Sequence, residues 1–592
     1  MPTKGYMFGK KKRYCKPRGR HASKTNAQLQ SSVLDTAGSE AATTQPASAA
    51  ERKISLTAVT NADNTNKRLP EDFIYVMMNS MQLTTMVSLL CCPHCFDNKL
   101  TMCITQSKGM AHLIKIKCLN CETYLWSDWT SKKSNDVHLD INVRAVAALK
   151  ESGISHSKFD RFCGLMSKPC MHRNTYNNLA NIVNTAIIEA GEECMIRASA
   201  VVHGRNISQP LTTDERISST GCPVITVSFD GTWHKRGHSS HSGIGTVIDF
   251  DTGLVIDTEV LSNYCHVCDS NSAELNFDAS KHMCQKNFSG SANAMEAASA
   301  SKIFSRSVAS RKLVYGTMLC DGDSKSHSSA ITNSGYDVEI LKEDCINHIS
   351  KRMFNALNNL KMSNKKELNY RLTKPKIEKI TNYYSKALRQ NAPDIQKMKL
   401  AVMGSFFHMM SSDLDHNHRL CPDGATSWCH FKRSEALKQP YKKHNQTITS
   451  EIGKLLFPII KRLTDTDLLK RCSRMGTQNA NESFHSLIWQ RCPKTEFATL
   501  KTVRAATYLA VLAFNNGPVG IRSVFDILGI PWTLKNISSS EKKQNVKLQL
   551  VRKRKSIALV SRRKNLKKRR IEHEHRAEVL EGPTYQSGHF NE

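Results

Sequence analysis

The sequence predicts an α/β protein with several domains, and three observations lead to this prediction. Three segments between residues 224 and 261 alternate apolar and polar side chains, which is typical of half-buried strands. Helical and strand-like segments then alternate as far as residue 341, a pattern that favours a sheet covered by helices. At 592 residues the chain is also long enough for more than one hydrophobic core.

The predicted sheet has five strands. The first three are VITVSFD, GIGTVIDF and GLVIDTEVL, and Asp251-Thr252-Gly253 supplies a hairpin turn between the second and third. A helix over NAMEAASASKIFSRSVASRK precedes a fourth strand, LVYGTMLC. A second helix, SKSHSSAITNSG, ends at its glycine and leads to a fifth strand, YDVEIL.

Changes in composition divide the rest of the chain into regions. The N-terminal residues are polar, basic and poor in aromatic side chains, so they are predicted to be disordered. Residues 138–200 space apolar side chains at three and four, as a helix does. The predicted regions are a basic arm (1–68), a zinc-ribbon-like module (69–135), a helical region that can bind DNA (136–215), the first part of the sheet domain with a Cys/His loop (216–345), a helical insertion (346–465), C-terminal helices of the sheet domain (466–534) and a basic tail (535–592).

The charge of the chain points to a polyanionic partner. There are 84 Lys and Arg against 52 Asp and Glu, a net charge of +32, which favours nucleic acid, although an anionic membrane surface would also suit the charge alone. No run of about 18 apolar residues predicts a membrane-spanning helix. The N-terminal residues have no apolar stretch of the kind found in a secretory signal. We therefore expect a reducing compartment, where the 20 cysteines are metal ligands or buried thiols.

Blocks of basic residues lie near both ends of the sequence. They are KKKRYCKPRGR near the start and the run from Arg552 to Arg570 near the end. Such blocks are typical of nuclear localisation signals or of arms that bind phosphates in a salt-sensitive way. The alternative is a solvated tail with no further role. The first interpretation predicts a nuclear protein.

Acidic side chains follow two of the predicted strands. Asp230 ends the first strand and is followed by glycine, and Asp321 and Asp323 follow the fourth. If these strands are neighbours, the acids meet at one edge of the sheet and offer the oxygen ligands that Mg²⁺ or Mn²⁺ prefers. A later predicted helix offers Glu482, with His485 three residues on and so on the same face. Two ions held by three such acids can catalyse in-line phosphoryl transfer.

Each acid also has an ordinary structural interpretation. Asp-Gly after a strand is a common turn pair, and an Asp after a strand can cap the next helix. Glu482 taken alone would be a solvated helix residue. The order of two acids after strands and one on a later helix matches an RNase H-like core, which favours the catalytic interpretation.

Several motifs resemble the transposases of Mutator-like elements, above all the animal type. These motifs are VSFDGTW, GSANAMEAASASKIFSRS, DGDSKSH, KEDCINHISKRM, TQNANESFHSLIWQRCPK and YQSGHF, and the resemblance covers most of residues 70–592. It implies a DDE transposase whose RNase H-like core is interrupted by a helical insertion. Asp230 takes the role of the first acid and Glu482 that of the third. The second is Asp321, favoured by its position at the strand end, or Asp323, favoured by its register to the following helix.

The resemblance also singles out Cys345 and His348 as a C-x-x-H pair close to the catalytic region. Here the pair would begin a helix, with both side chains on one face. The alternative is a buried thiol beside a histidine that caps the helix. Together with His485, this pair is the predicted support of the active site.

Two pairs of cysteines predict a first zinc site. The C-x-x-C spacing presents two thiolates from each tight turn, and the segment between the pairs is strand-like, as in a zinc ribbon. The predicted ligands are Cys92, Cys95, Cys118 and Cys121. Cys91 or His94 can substitute for one of them. The predicted role is structural, and the module is one candidate for contact with DNA.

A second and a third cluster combine cysteine with histidine. The second lies after the third strand and predicts another zinc site, with scattered thiols as the alternative. Its predicted ligands are Cys265, Cys268, His282 and Cys284. The third offers His416, His418, Cys421 and Cys429, which fit either a zinc site or a packed histidine-rich loop. Thiolate sites suit Zn²⁺ and not Mg²⁺, so none of these clusters is the predicted catalytic site.

The sequence therefore predicts a cut-and-paste DNA transposase that uses Mg²⁺ or Mn²⁺. Its expected partners are double-stranded DNA, at the transposon ends and at the target, and further copies of the same chain, with no membrane partner. A non-catalytic zinc protein that descends from a transposase and binds DNA or chromatin is the main alternative. A general nuclease with the same core is a third, and it would cleave DNA without strand transfer.

Overall fold

In the computed structural model of this chain, the described residues are mainly 73–555. Gaps within that range are residues 135–136, 209–217, 236–239, 271–281, 283, 323, 413–415 and 442–445, and residues 52–53, 55–56, 561, 565–566 and 569 are described outside it. Most of the predicted basic arm and most of the basic run from Arg552 to Arg570 therefore lie outside the described residues. Asp323, one candidate for the second acid, also lies outside them.

The cysteine-rich segment forms a small antiparallel sheet. Its elements are α1 (Ser80–Ser88), β1 (Leu100–Lys108), β2 (Ala111–Cys118) and β3 (Tyr124–Trp129), in the strand order β1-β2-β3. Gly109, with φ of +64°, lies in the tight turn between β1 and β2, where glycine avoids the strain of a positive φ. A pair of two-residue strands follows, β4 (Lys133–Ser134) and β5 (His138–Leu139).

Three helices connect this segment to the main sheet. They are α2 (Asp140–Ser152), α3 (His156–Leu165) and α4 (Arg173–Ser208). Along α4 the side chains of Leu179, Val183, Ile187 and Ala190 are buried, at the spacing of one helix face. This face belongs to the largest hydrophobic core of the described residues, which α4 shares with helices from the C-terminal part of the chain.

The main sheet is mixed and has five strands, as predicted. Its elements in chain order are β6 (Val224–Trp233), β7 (Ser242–Asp249), β8 (Val255–Ser262), α5 (His266–Ser270), α6 (Ala294–Arg311), β9 (Val314–Cys320), α7 (Ser324–Ser334) and β10 (Leu341–Asp344). The strand order is β10-β9-β6-β7-β8. The first three strands form an antiparallel meander, and β9 and β10 run parallel to β6.

Two strand boundaries differ from the prediction. The first strand does not end at Asp230 but continues to Trp233, because β7 extends the pairing. The fifth strand is not YDVEIL; it begins at Leu341 and is the short, polar segment LKED. Tyr336 and Asp337 do not pair as a strand: Tyr336 packs against the core of the sheet and contacts the hydroxyl of Ser307, and Asp337 accepts hydrogen bonds from residues 218 and 219.

Helices of the second half of the chain form a separate core and then return to the sheet. Those of the insertion are α8 (Ile346–Ser363), α9 (Lys365–Leu368), α10 (Lys374–Asn391), α11 (Ile395–Met410), α12 (His430–Ala436), α13 (Ser450–Leu463) and α14 (Thr466–Arg471). After them come α15 (Asn479–Arg491), α16 (Leu500–Asn515), a 3₁₀ turn (Gly517–Val519), α17 (Arg522–Ile527) and α18 (Leu534–Lys555). Helix α18 thus occupies the first part of the predicted basic tail.

The start and the end of the insertion lie next to each other. The backbone N–H of Ile346, at the start of α8, donates to the backbone oxygen of Gly476, just before α15, at 3.1 Å. One residue on, the side chain of Asn347 donates to that of Asn479 at 3.0 Å. The insertion helices bury their own apolar side chains, including Met353, in a core of their own. The chain therefore leaves the sheet and returns to it at one place.

Alternate residues of β6 face two different helical layers. Val227 and Phe229 are buried in a core with Ile303 of α6. Ser228 faces the opposite layer, where its hydroxyl is bonded to Asn481 of α15. Because side chains alternate along a strand, Asp230 lies on the same side as Ser228. The sheet thus carries this acid toward α15.

Candidate active site and metal centres

Asp230 and Asp321 lie level with each other at one edge of the sheet. The parallel pairing of β6 with β9 ends with Ser228 opposite Leu319, and each acid follows two residues later. On its other side Asp230 is still paired, opposite Thr246 of β7. Strand β6 therefore extends beyond β9. Asp230 is paired with β7 but not with β9, and on the β9 side it lies level with Asp321.

The carboxyl group of Asp230 is in an unfavourable position for a negative charge. Burial, and next to it the negative charges of Glu296 and Asp321, raise the pKa of this carboxyl group to about 8. The charge of His348 and the backbone N–H of Gly231, which donates to Oδ1 at 3.1 Å, act in the opposite direction. Several negative groups thus share a small region without enough positive charge to balance them.

Glu296 is a member of this region that the sequence analysis did not identify. It lies in the first turn of α6, where the helix dipole favours a carboxylate. A Cβ atom on Gly231 would lie 2.8 Å from Cγ and 3.1 Å from Oε2 of Glu296. The glycine after Asp230 therefore makes room for the Glu296 side chain. The only signal in the sequence was that Glu296 falls within one of the family motifs.

Asp321 is held by the C-x-x-H pair at the start of α8. Its Oδ1 contacts Nδ1 of His348, and this interaction, with a further bond to Cys345, raises the pKa of His348 to about 10. Burial opposes ionisation of Cys345, but the bond to His348 lowers the pKa of the thiol. The backbone N–H of Cys345 donates to the oxygen of Cys320, directly before Asp321, at 3.3 Å. The pair thus fixes the end of β9 and balances one acid.

Helix α15 is fixed to the sheet beside Asp230. Gln478 donates to the backbone oxygen of Phe229 at 2.8 Å, and Asn481 donates to that of Ser228 at 3.2 Å. One turn on, Nδ1 of the buried His485 lies 3.6 Å from Oδ2 of Asp230. Burial, and then the charge of Lys494, lower the pKa of His485 to about 3, so this imidazole is neutral.

Glu482 lies on the same helix turn, but its side chain is exposed. Glu482 is three residues from His485 on this helix, but of the two only His485 packs against Asp230. Among the described residues, the groups with metal-like spacing consist of cysteine and histidine alone, and Asp230, Asp321 and Glu482 do not form one. Glu482 is therefore exposed on α15, while Asp321 is engaged by His348.

The first predicted cysteine set comes together as four thiols. The Sγ atoms of Cys92 and Cys121 are 3.6 Å apart, and so are those of Cys95 and Cys118. All four Sγ atoms lie within 4.8 Å of one another. Cys91 and His94 are exposed and do not belong to this group. Four thiols at such distances suit a tetrahedral zinc ion.

The second predicted set also comes together, between β8 and α6. Nε2 of His282 lies 3.4 Å from Sγ of Cys265 and 3.3 Å from Sγ of Cys268. Sγ of Cys284 is 3.5 Å from that of Cys268. The four ligand atoms lie within 4.8 Å of one another, so this group too has the donor set and spacing for zinc.

The third group differs from the set that the sequence offered. It consists of His408, His418, Cys421 and Cys429, all four buried. His408 comes from α11, ahead of the histidine-rich loop. His416 is not part of the group, and its ring stacks on Phe431 with centroids 5.1 Å apart.

Basic side chains line a surface groove beside Asp321. Next to the acid, His348, Lys351 and Arg352 of α8 form one wall. The groove continues past Arg352 to Arg462 and Arg471 at the other end of the insertion core. Positive charge therefore extends from the acids along α8.

A comparison with protein families connects these features to one of them. The family model described as Mutator-like transposase matches residues 71–429, more than half of the chain, and the matched segment contains Asp230, Glu296 and Asp321. A search of curated proteins finds no significant match. Among the helices of the described residues, none has the length and apolar character needed to cross a membrane. Transposases as a family are enzymes that bind and process DNA, and on this match the chain belongs to the Mutator-like transposase family.

Proposed function

We propose that this protein is a DDE-type DNA transposase that cleaves DNA strands and joins the freed 3′ ends to a target, by cut-and-paste transposition. The observation that carries the proposal is the position of Asp230 and Asp321, level with each other where the parallel strands β6 and β9 stop pairing. The meander followed by two parallel strands, with one acid within the first strand and one directly after the fourth, supports an RNase H-like core. Asp321, which lies level with Asp230 directly after β9, is the proposed second acid.

The proposed catalytic ions are Mg²⁺ or Mn²⁺. Asp230 and Asp321 would hold them, with Glu296 and Glu482 as the remaining carboxylates around the site. The crowded negative charge that raises the pKa of Asp230 suits a cation at this place. When bound, the ions would make the attacking water or 3′-hydroxyl more acidic and stabilise the leaving oxygen.

The side chains around the acids position them. His485, neutral and buried, packs against Asp230 and limits its movement. His348 holds Asp321 at the strand end, and Cys345 holds His348. Asn481 and Gln478 attach the helix of Glu482 to the strand of Asp230. The proposed acids thus belong to three elements that are distant in sequence.

The basic groove along α8 is the proposed path of the DNA backbone. Lys351 and Arg352 line it next to Asp321 and Arg462 lines it farther along, and such side chains bind phosphates without regard to sequence. Multimeric assembly on two DNA ends and a nuclear location belong to the same proposal.

The test is strand cleavage by the full chain on DNA that carries its transposon ends, with Mg²⁺ or Mn²⁺. Replacing Asp230 with alanine should lower cleavage by about 100-fold or more while DNA binding persists, since an ion ligand contributes at least as much as the outer contacts that support it. Asp251→Ala, in the exposed turn after β7, is the matched control and should cleave normally. Cleavage that survives Asp230→Ala would exclude the proposed active site.

One observation favours a second function. Glu482 is exposed and Asp321 is engaged by His348, so the acids are not gathered into one group. This arrangement suits a transposase-derived protein that keeps zinc modules and binds DNA without catalysis. An excision assay on a reporter flanked by matching terminal repeats distinguishes the two: excision supports the transposase, and binding without excision supports the alternative. Cleavage without strand transfer would instead indicate a nuclease.

A further inference from the structure

Four metal-binding side chains meet inside the helical insertion: three come from the third Cys/His cluster, and His408 takes the place of His416. From them we infer that the insertion holds a structural zinc ion, with His408, His418, Cys421 and Cys429 as its ligands. The inference concerns the folding of the insertion and does not depend on whether the acids are catalytic.

The distances between the four ligand atoms are those of a tetrahedral zinc site. Zinc–sulfur bonds of about 2.3 Å and zinc–nitrogen bonds of about 2.0–2.1 Å place tetrahedral ligand atoms about 3.3–3.8 Å apart. Here the two Nδ1 atoms of His408 and His418 are 3.2 Å apart. Sγ of Cys421 is 3.7 Å and 3.8 Å from them, and Sγ of Cys429 is 3.5 Å from Nδ1 of His418.

The ligand types in this group favour zinc over Mg²⁺ and Ca²⁺. Two thiolates and two neutral imidazoles form a common structural zinc set, and their two negative charges balance the ion. Mg²⁺ and Ca²⁺ prefer oxygen ligands, which the group lacks. All four residues are buried, His418 at 2% and Cys429 at 0% exposure. Four protein ligands fill all positions of a tetrahedral zinc ion and burial keeps water away, so the site is closed and therefore structural.

The four ligands come from three segments of the chain. His408 belongs to α11, Cys429 caps α12, and the other two lie in the irregular chain between these helices. Aromatic rings surround the group: His418 stacks on Phe431 at 4.6 Å and His408 packs edge-on against Trp428 at 4.9 Å. An ion at this centre would tie the irregular segment to both helices.

His416 and His408 form a matched pair for the test. Both are next to the aromatic rings, but only His408 contributes a nitrogen to the group. In the full-length protein purified with zinc, His408→Ala should lose one zinc ion per chain relative to the wild type. His416→Ala should lose none, and His408→Cys, which restores a ligand, should keep the full count.

The proposal is overturned if His408→Ala retains the wild-type zinc count or if His416→Ala loses an ion as well. Should His408→Ala fail to fold, alkylation of the wild-type protein gives the answer by peptide mass spectrometry. A zinc chelator should increase the labelling of Cys421 and Cys429, whereas Cys194, which is buried but outside every metal group, should stay protected. Labelling of Cys421 and Cys429 that is unaffected by the chelator would contradict the site.

Discussion

Ser228 and Asn481 exchange hydrogen bonds in both directions across 253 residues of sequence. The hydroxyl of Ser228 donates to Oδ1 of Asn481 at 2.7 Å, and Nδ2 of Asn481 donates to the backbone oxygen of Ser228 at 3.2 Å. The same amide lies 3.3 Å from the backbone oxygen of Thr246 on the neighbouring strand. This contact joins the helix of Glu482 to the strand of Asp230, and it is completely buried.

Replacing Asn481 with leucine should therefore separate the third acid from the first. The change leaves the hydroxyl of Ser228 and the oxygen of Thr246 without their partner, which costs about 1–3 kcal/mol of folding free energy. We expect a lower midpoint in urea and a loss of metal-dependent cleavage. Gln490→Ala, on an exposed position of the same helix, is the control and should change neither. Unchanged stability in Asn481→Leu would show that the contact does not hold the helix.

Glu296→Gln should reduce cleavage without reducing stability. The substitution removes a carboxylate beside Asp230, and with it a negative charge that raises the pKa of Asp230. We expect cleavage to fall by about tenfold or more, as for other groups that support a metal site. Glu367→Gln, also in the first turn of a helix but exposed, is the matched control. Wild-type cleavage by Glu296→Gln would remove this residue from the site.

A buried ion-pair network under β8 predicts a large stability effect. Asp257, which is fully buried, accepts from Nη2 of Arg306 at 2.7 Å and of Arg311 at 3.2 Å. Asp257→Ala leaves the guanidinium of Arg311 buried with less compensation, so we expect a loss of about 3–5 kcal/mol in urea unfolding. Asp467→Ala removes only an exposed pair with Lys470 and should cost less than about 1 kcal/mol. Similar losses in both variants would contradict this prediction.

Asp249 predicts a specific pH dependence of stability. Burial raises its pKa to about 6, while the N–H and hydroxyl of Thr252 donate to it. Folding therefore favours the protonated acid, and the stability that protonation contributes is lost as pH rises from about 4 to 6. Asparagine keeps the acceptor without the charge, so from pH 4 to pH 7 the stability of Asp249→Asn should rise relative to the wild type by up to about 3 kcal/mol. Parallel curves of unfolding free energy against pH would refute this.

The groove along α8 predicts a change in the salt dependence of DNA binding. Each phosphate contact that is lost should reduce the slope of log K against log salt concentration by about 0.9. Lys351→Ala and Arg462→Ala should each show this reduction on any duplex, measured by fluorescence anisotropy. Lys397→Ala, an exposed lysine on α11 outside the groove, should keep the wild-type slope. A wild-type slope in the two groove variants would place the DNA elsewhere.

The antiparallel half of the sheet was predictable because its signals are local. Ile225, Val227 and Phe229 alternate with polar residues, and Gly253, with φ of +71°, marks the hairpin. The fifth strand carries no such signal, since LKED is short, polar and at the sheet edge. Its position depends on parallel pairing with β9, in which Leu341 lies opposite Thr317.

The candidate site was predictable only where its residues follow strands or repeat a ligand spacing. Asp230 and Asp321 lie level with each other because β6 and β9 pair in parallel up to Ser228 and Leu319, and the close C-x-x-C pairs need little tertiary structure to form. Glu296 and His408 lie inside helices, and nothing near them in the sequence points to the sheet edge or to the cysteines. Only the packing of α6 and α11 brings these two residues to their groups.

The hydrogen bond between Ile346 and Gly476 has an evolutionary consequence. Because the chain departs and returns through one junction, the insertion can gain or lose whole helices without changing the distance between the strand of Asp321 and the helix of Glu482. Mutations in the insertion core would then alter how much DNA the protein covers, while the chemistry at the sheet edge stays under separate selection. The two parts of one chain can diverge at different rates.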